Sequence, residues 1–166
     1  FGVVCGGSSL TAAQPLNNVV RVGIENMAAI LGGAQSVFTC AYDEAFQIPT
    51  EQSAELALRT QQIVADESGI ANTVDPLGGS YFVEYLTDSM EAQIDAIMTE
   101  IADYGGAVKA IEDGYIQMRL ARSARVKKNQ TDSGERVVVG VNKYASEEEA
   151  VQVGEVFKLD PGMRNS

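Results

Sequence analysis

Histidine is absent from the 166 residues. Its absence removes the usual general base, the commonest metal ligand and every Ser-His or Cys-His nucleophile. Chemistry done by these residues alone would rest on carboxylates, amides and lysines. Cysteine is nearly absent: Cys5 and Cys40 stand far apart and match no metal spacing. They are expected to be reduced and buried, as in a cytoplasmic protein. Basic residues are scarce, with 12 Lys and Arg against 23 Asp and Glu, a formal net charge of −11. That balance argues against nucleic acid or an anionic membrane as the partner. No apolar run is long enough to span a bilayer. The opening FGVVCGGSSL has neither the basic region nor the length of a signal peptide. Beginning inside an apolar run and without Met, the chain is expected to be a fragment.

What is present suits a core, since 45% of the residues are hydrophobic. The organising stretch is LGGAQSVFTCAYDEAFQIP at 31–49. Gly32 and Gly33 end a helical pattern, an apolar run over 35–40 follows, and an acidic loop closes at Pro49. A strand bracketed by helices, with polar groups past its carboxyl end, is one βα unit of a parallel α/β fold. Residues 1–5 form a second such run, ending in Gly6-Gly7. Thr11 and Gln14 are spaced as a capping box, with Pro15 suited to a first helical turn. Val20, Ile24, Met27 and Leu31 then predict a helix facing a core.

Farther on, Thr50 or Ser53 starts a helix ended by Gly69, with Leu56, Thr60, Ile63, Val64 and Glu67 along one side. Residues 70–82 read as a loop. Asp88 with Glu91 gives a capping signal for a helix stopped by Gly105-Gly106. Two further helices are expected over 106–112 and 114–129, followed by a polar break at 129–135, a short extended run at 137–139 and an acidic tail around 147–149. Two parallel strands neither close a barrel nor cover both faces of a sheet. Residues 1–70 are therefore expected to be the closing βα units of a (β/α)8 TIM barrel, and 71–166 a helical extension. A free-standing small α/β domain is the alternative.

In such folds the ligand sits beyond the carboxyl ends of the strands. Gly6-Gly7 would let a backbone approach a ligand closely, or simply turn. Gln35 is an amide at the amino end of a strand, where backbone or ligand would satisfy it. Asp43-Glu44 would hold a ribose hydroxyl or a proton, or else be solvated or cap a helix. The cluster Arg119, Arg122, Arg125, Lys127 and Lys128 would meet a phosphate, or pair with the surplus acids.

The ordered motifs NNVVR (17–21), ENMAA (25–29), LGGAQS (31–36), DEA (43–45), LRTQQI (58–63), ESG (67–69), DPLGGSY (75–81), GGAVKAIEDG (105–114) and DSG with VGVNKY (132–144) resemble the coenzyme B12-dependent acyl-CoA mutases. The match covers about residues 3–146. The resemblance implies the end of the substrate-binding barrel plus the linker toward a cobalamin-binding domain or small subunit. It implies an isomerase in which adenosylcobalamin supplies a radical and an acyl-CoA is rearranged, with the protein shielding and positioning. By the same resemblance, Gln35 contacts the substrate, Glu44 hydrogen-bonds the adenosyl ribose with Ala45 beside it, and Gly7 lies against the cofactor.

The departures from the family pattern carry information too. Gly2 and Val4 stand where methylmalonyl-CoA mutases are matched to a histidine and a glutamine of the substrate pocket. Phe38 and Cys40 replace a histidine and an asparagine, and Lys128 replaces a glutamine near the cofactor. A pocket stripped of polar donors disfavours a free carboxylate. The expected substrate is a less polar branched acyl-CoA, of the isobutyryl or 2-hydroxyisobutyryl kind. The family's cobalt-ligating histidine has no counterpart here, so this chain alone is expected to be inactive. A non-catalytic assembly module is the other functional reading.

Overall fold

The computed structural model describes residues 1–146; the acidic stretch at 147–149 lies outside them. The order of elements is β1 (Gly2–Val4), α1 (Asn17–Leu31), β2 (Ser36–Phe38), α2 (Glu51–Glu67), α3 (Tyr81–Asp103), α4 (Ala107–Glu112) and α5 (Tyr115–Asp132). Single 3₁₀ turns occur at Gly7–Ser9 and Ile70–Asn72. This is a helix-rich α/β arrangement around a small parallel sheet. Phe1–Pro76 gather into one compact unit and Leu77–Tyr144 into another.

In the first unit β1 pairs with β2 in parallel, Gly2 opposite Ser36, Val3 opposite Val37 and Val4 opposite Phe38. The N–H of Cys5 extends the ladder to the Phe38 carbonyl at 2.8 Å. Because side chains alternate along a strand, the register sorts them. Val37 packs on the core of Cys5, Leu10, Val22 and Cys40, while Gly2, Val4, Ser36 and Phe38 share the open face. Both strands are three residues long, shorter than the apolar runs that announced them.

Helix α1 does not begin as its capping signal suggests. Gln14 takes a left-handed φ of 48°, and the Thr11 hydroxyl donates to Ala13 O at 2.8 Å instead of capping. Asn18 organises the approach: its Oδ1 accepts Thr11 N–H, and its Nδ2 donates to the carbonyls of Thr11 and Tyr42. The helix therefore starts at Asn17. Its burial is also rotated from expectation. Asn18, Val22 and Asn26 are buried, while Val20 and Ile24 are 64% and 59% exposed. The helix packs on α2 and β2 through the Val22 face, leaving the longer apolar stripe uncovered. Burying Val22 contributes about 1.5–3 kcal/mol. The carboxyl end follows the sequence: Ala34 N–H reaches Ala29 O at 3.1 Å, and Gly33 takes a φ of 82°, a glycine-terminated helix end.

Of the two candidate caps for α2, Thr50 is the one used. Its Oγ1 accepts Ser53 N–H at 3.1 Å, and Ser53 Oγ accepts Thr50 N–H at 2.8 Å, a reciprocal capping box. Thr39 sews α2 to the sheet, donating to Ala57 O at 2.7 Å and accepting from Gln61 Nε2 at 2.8 Å. Thr60 is half-buried beside Val19 and Val22, whereas Leu56 and Ile63 are exposed.

In the second unit α3 begins at Tyr81, one residue past Ser80. The Asp88–Glu91 signal therefore falls within the helix rather than at its start. Gly79, with a φ of 77°, makes the break, and Glu84 Oε1 turns back to accept its N–H at 3.0 Å. Gly105 and Gly106 end α3, both at positive φ, with Gly106 N–H on Ile101 O at 3.0 Å. Tyr104 stacks on Tyr115 with ring centroids 4.6 Å apart, and Arg119 Nη1 reaches both Glu100 oxygens at 2.7 Å. The Tyr115 hydroxyl, then Arg119, hold the Glu100 carboxyl below its usual range. α5 continues through the expected polar break to Asp132, because polar side chains on an exposed helix need no burial. The run at 137–139 forms one bridge, Val139 to Lys143, braced by Asn142 Nδ2 on the carbonyls of Thr131 and Arg136.

Candidate functional site at the carboxyl ends of the strands

Parallel pairing brings the carboxyl ends of β1 and β2 to the same place, and the residues following them converge. From β1 come Cys5, Gly6 and Gly7; from β2 come Cys40 and, after one turn, Glu44. The turn is set by Glu44 N–H on Ala41 O at 3.1 Å and by Phe46 and Gln47 N–H on Asp43 O, both at 3.0 Å. Asp43 is fully buried beneath it, with Oδ2 accepting Gln47 Nε2 at 2.7 Å. Of the adjacent acids, Asp43 thus builds the loop and Glu44 stands exposed at its surface.

Gly7 and Glu44 are in direct apposition. A Cβ on Gly7 would come within 2.7 Å of Glu44 Oε1, so a side chain there would displace the Glu44 carboxylate from its present place. Below them lies a pair of free, buried thiols, as the composition suggested. Cys40 Sγ donates to Cys5 O at 3.0 Å. Its thiol is pushed up to about 11, first by burial and then by the charge and hydrogen bond of Glu44, with Cys5 and Glu25 adding. Burial, then Glu25, raises the Cys5 thiol as well. Both therefore stay protonated at neutral pH and act as packing and as weak donors, not nucleophiles.

The remaining sequence candidates divide by place. Gly2, Val4 and Phe38 lie on the open sheet face, where Val4 and Phe38 are cross-strand partners, 69% and 63% exposed. A Cβ at position 2 would stand 2.7 Å from the Ser36 Oγ, so a side chain there requires that hydroxyl to rotate away. Ala45 follows Glu44 and is exposed. Gln35 is elsewhere: it precedes β2, its N–H on Phe1 O at 3.0 Å and its Oε1 accepting the Phe1 amino group. It therefore sits at the amino ends of the strands, the opposite end of the sheet from Gly7 and Glu44. Lys128 belongs to the second unit, where its ammonium pairs with Asp132 one turn along α5.

Glu25 is visible in the sequence only as part of the ENMAA motif. From α1 its Oε2 accepts Gly6 N–H at 2.8 Å. Its signal was present, since it is the only acid in α1, but the pairing spans 19 positions and no local spacing announces it. A groove of about 290 Å³ opens between β2 and α2, lined chiefly by Val37, Thr39, Ala41, Leu58 and Gln61, with Glu44 among its walls.

This arrangement offers carboxylate acceptors to paired hydroxyl donors and a bare glycine backbone against which a flat or bulky group can rest. Among the described residues no group of three or more His, Cys, Asp or Glu is placed to hold a metal ion. No helix among them is long and apolar enough to cross a membrane.

Comparison with known proteins gives a consistent picture. The family model described as methylmalonyl-CoA mutase matches residues 1–166. The chain is 47% identical over 146 residues to the 2-hydroxyisobutanoyl-CoA mutase large subunit of Aquincola tertiaricarbonis, covering 88% of this chain and 26% of that protein. It is 47% identical over 143 residues to the methylmalonyl-CoA mutase of Escherichia coli K12, covering 86% and 20%. With the human mitochondrial methylmalonyl-CoA mutase it shares 45% over 148 residues, covering 89% and 20%. The chain thus spans about a quarter or a fifth of the length of these relatives.

Proposed function

The chain belongs to the methylmalonyl-CoA mutase family, and from that membership we propose that it contributes part of the active site of an adenosylcobalamin-dependent isomerase that rearranges a branched acyl-CoA. Residues 1–70 are then the closing βα units of the substrate-binding barrel, and 71–166 the extension toward the cobalamin-binding domain or subunit. In that barrel further strands pair with the free edges of the two-stranded sheet, and neighbouring helices cover the α1 stripe of Val20, Ile24 and Met27. The buried free thiols suit a reducing compartment such as the cytoplasm.

The observation that carries the reading is the apposition of Gly7 and Glu44 at the carboxyl ends of parallel strands. The residues present fit the adenosyl end of the cofactor. Glu44 is an exposed acceptor for ribose hydroxyls, Gly7 leaves the space beside it open, and Ala45 adds a small neighbour. No residue here suits cobalt, and the cobalt ligand comes from another domain or chain. When bound, the cofactor supplies the radical chemistry. The residues of this chain orient its ribose, keep water from the strand ends and, through the protonated thiols, keep the floor of the site uncharged. Lys128 stands as a further cofactor contact.

On the substrate side, the open sheet face presents Val4 against Phe38, with Gly2 beneath Val4. Ser36 is the one hydroxyl on that face, so the free carboxylate of a methylmalonyl group meets no charged partner there, and burying an unpaired carboxylate is costly. The substrate is accordingly an isobutyryl- or 2-hydroxyisobutyryl-type thioester. Gln35, at the far end of β2, holds a more distant part of it. Titration of adenosylcobalamin into the complete enzyme tests the reading: Glu44→Gln weakens binding by about tenfold or more if Glu44 holds the ribose. Unchanged affinity would remove Glu44 from the site.

A further inference from the structure

Glu25 lies outside every role assigned above, yet it is tied to the cofactor side of the site. From within α1 its Oε2 accepts Gly6 N–H at 2.8 Å and its Oε1 accepts the Ser9 hydroxyl at 2.5 Å. Within the turn the other bonds are its own short ones, Ser9 N–H on Gly6 O at 3.0 Å and Leu10 N–H on Gly7 O at 3.1 Å, and Asn18 holds the connection farther along, at Thr11. The short bonds close the 3₁₀ turn without fixing where it sits. Among the described residues, Glu25 alone ties the turn to a helix through side-chain bonds at both Gly6 and Ser9.

The turn carries Gly7, which stands so close to Glu44 that a Cβ would meet its Oε1 at 2.7 Å. Two adjacent glycines have more backbone freedom than any other pair, and hydrogen bonds to an ionised acceptor are about twice as strong as neutral ones. We infer that Glu25 is a positioning residue for the adenosyl-binding site: by clasping Gly6 and Ser9 it sets where the Gly7 backbone lies against the Glu44 carboxylate. Its charge also acts on the thiols of Cys5 and Cys40, placing it in the same cluster as Glu44. The inference rests on the reading of Gly7 and Glu44 as cofactor contacts.

The test uses the complete enzyme with three variants of the clasp and one of the contact. Adenosylcobalamin affinity is measured by titration, substrate KM by steady-state assay, and protection of the Gly6 amide by hydrogen exchange. Glu25→Ala should expose the Gly6 amide to exchange and weaken cofactor binding by about tenfold, leaving substrate KM within about twofold. Glu25→Gln keeps an oxygen for Gly6 N–H and should restore affinity to within about threefold of the parent. Ser9→Ala, at an exposed residue, removes one arm of the clasp and should weaken binding by a smaller factor, which keeps the test open if Glu25→Ala fails to fold.

Cofactor affinity unchanged in both Glu25→Ala and Ser9→Ala, with Gly6 exchanging freely, would overturn the inference. So would equal losses in cofactor affinity and substrate KM, the mark of a merely structural residue. Glu44→Gln separates the two levels. If it weakens binding while the clasp variants do not, only the role of Glu25 fails. If it has no effect, the cofactor reading itself fails.

Discussion

Gly7 and Glu44 meet across the ends of two parallel strands so closely that a Cβ at position 7 would stand 2.7 Å from the Glu44 Oε1. The obstructing atom is the tip of a flexible, exposed side chain, so the fold can yield and the site cannot. Gly7→Ala should leave the melting temperature nearly unchanged, since a surface carboxylate can swing aside. Cofactor affinity should fall by about tenfold as Glu44 is displaced. Paired melting and titration experiments check this; a loss of stability with intact affinity would contradict it.

The thiol beneath that contact gives a pH signature. Cys40 is held at about 11 against an ordinary value of 9.0. The folded state therefore keeps its proton where the unfolded chain loses it. Stability from this group is fully present below pH 9 and is lost as pH rises toward 11. Denaturant unfolding at pH 8, 9.5 and 11 should show a decline that is shallower in Cys40→Ala. Glu44→Gln, which removes the charge and the ionised bond raising this thiol, should speed its alkylation at pH 9. An unchanged alkylation rate would separate Glu44 from Cys40.

Asn26 carries a different cost. It is fully buried in α1, and neither Nδ2 nor Oδ1 has a hydrogen-bond partner among the described residues. Unsatisfied buried polar atoms cost about 1–3 kcal/mol each. Asn26→Ala should therefore stabilise the folded protein by about 1 kcal/mol, after the loss of some packing volume. Chemical denaturation of parent and variant decides the matter, a lower stability showing that the amide is in fact well bonded.

Local signals in the sequence were readable where the cause is local. The glycine stops at 32–33 and 105–106 appear where the spacing puts them, because a positive φ depends on the residue itself. The cap of α2 was legible to within the choice of Thr50 or Ser53. The false signals share one failing. Thr11 and Gln14 have capping-box spacing, but Asn18 captures Thr11 from seven residues away, and Asp88–Glu91 sits inside a helix already started at Tyr81. The burial of α1 differs from its apolar periodicity because periodicity marks an apolar face, not the side that meets α2 and β2, which is the Val22 side. At the site, Gly7 and Glu44 lay at strand ends and were accessible to reasoning. Glu25 was not, since its partners Gly6 and Ser9 are brought near only by the return of the chain.

The cap at Thr50 supplies a further check. Thr50→Ala removes the acceptor for Ser53 N–H and should cost about 1 kcal/mol. Activity per folded molecule should be unaffected, because the capping box lies below the loop and not at its surface. A drop in activity without a drop in stability would place Thr50 in the site itself.

The most direct test of a cofactor-dependent mutase acting on a less polar thioester is a single comparative assay. The complete enzyme would be given isobutyryl-CoA, 2-hydroxyisobutyryl-CoA and methylmalonyl-CoA in parallel, with and without adenosylcobalamin, and the rearranged acyl-CoA quantified. The expected result is rearrangement only with cofactor, fastest for one of the first two. Rearrangement of none with cofactor bound would contradict the function, and preference for methylmalonyl-CoA would contradict the apolar substrate face assigned to Val4 and Phe38.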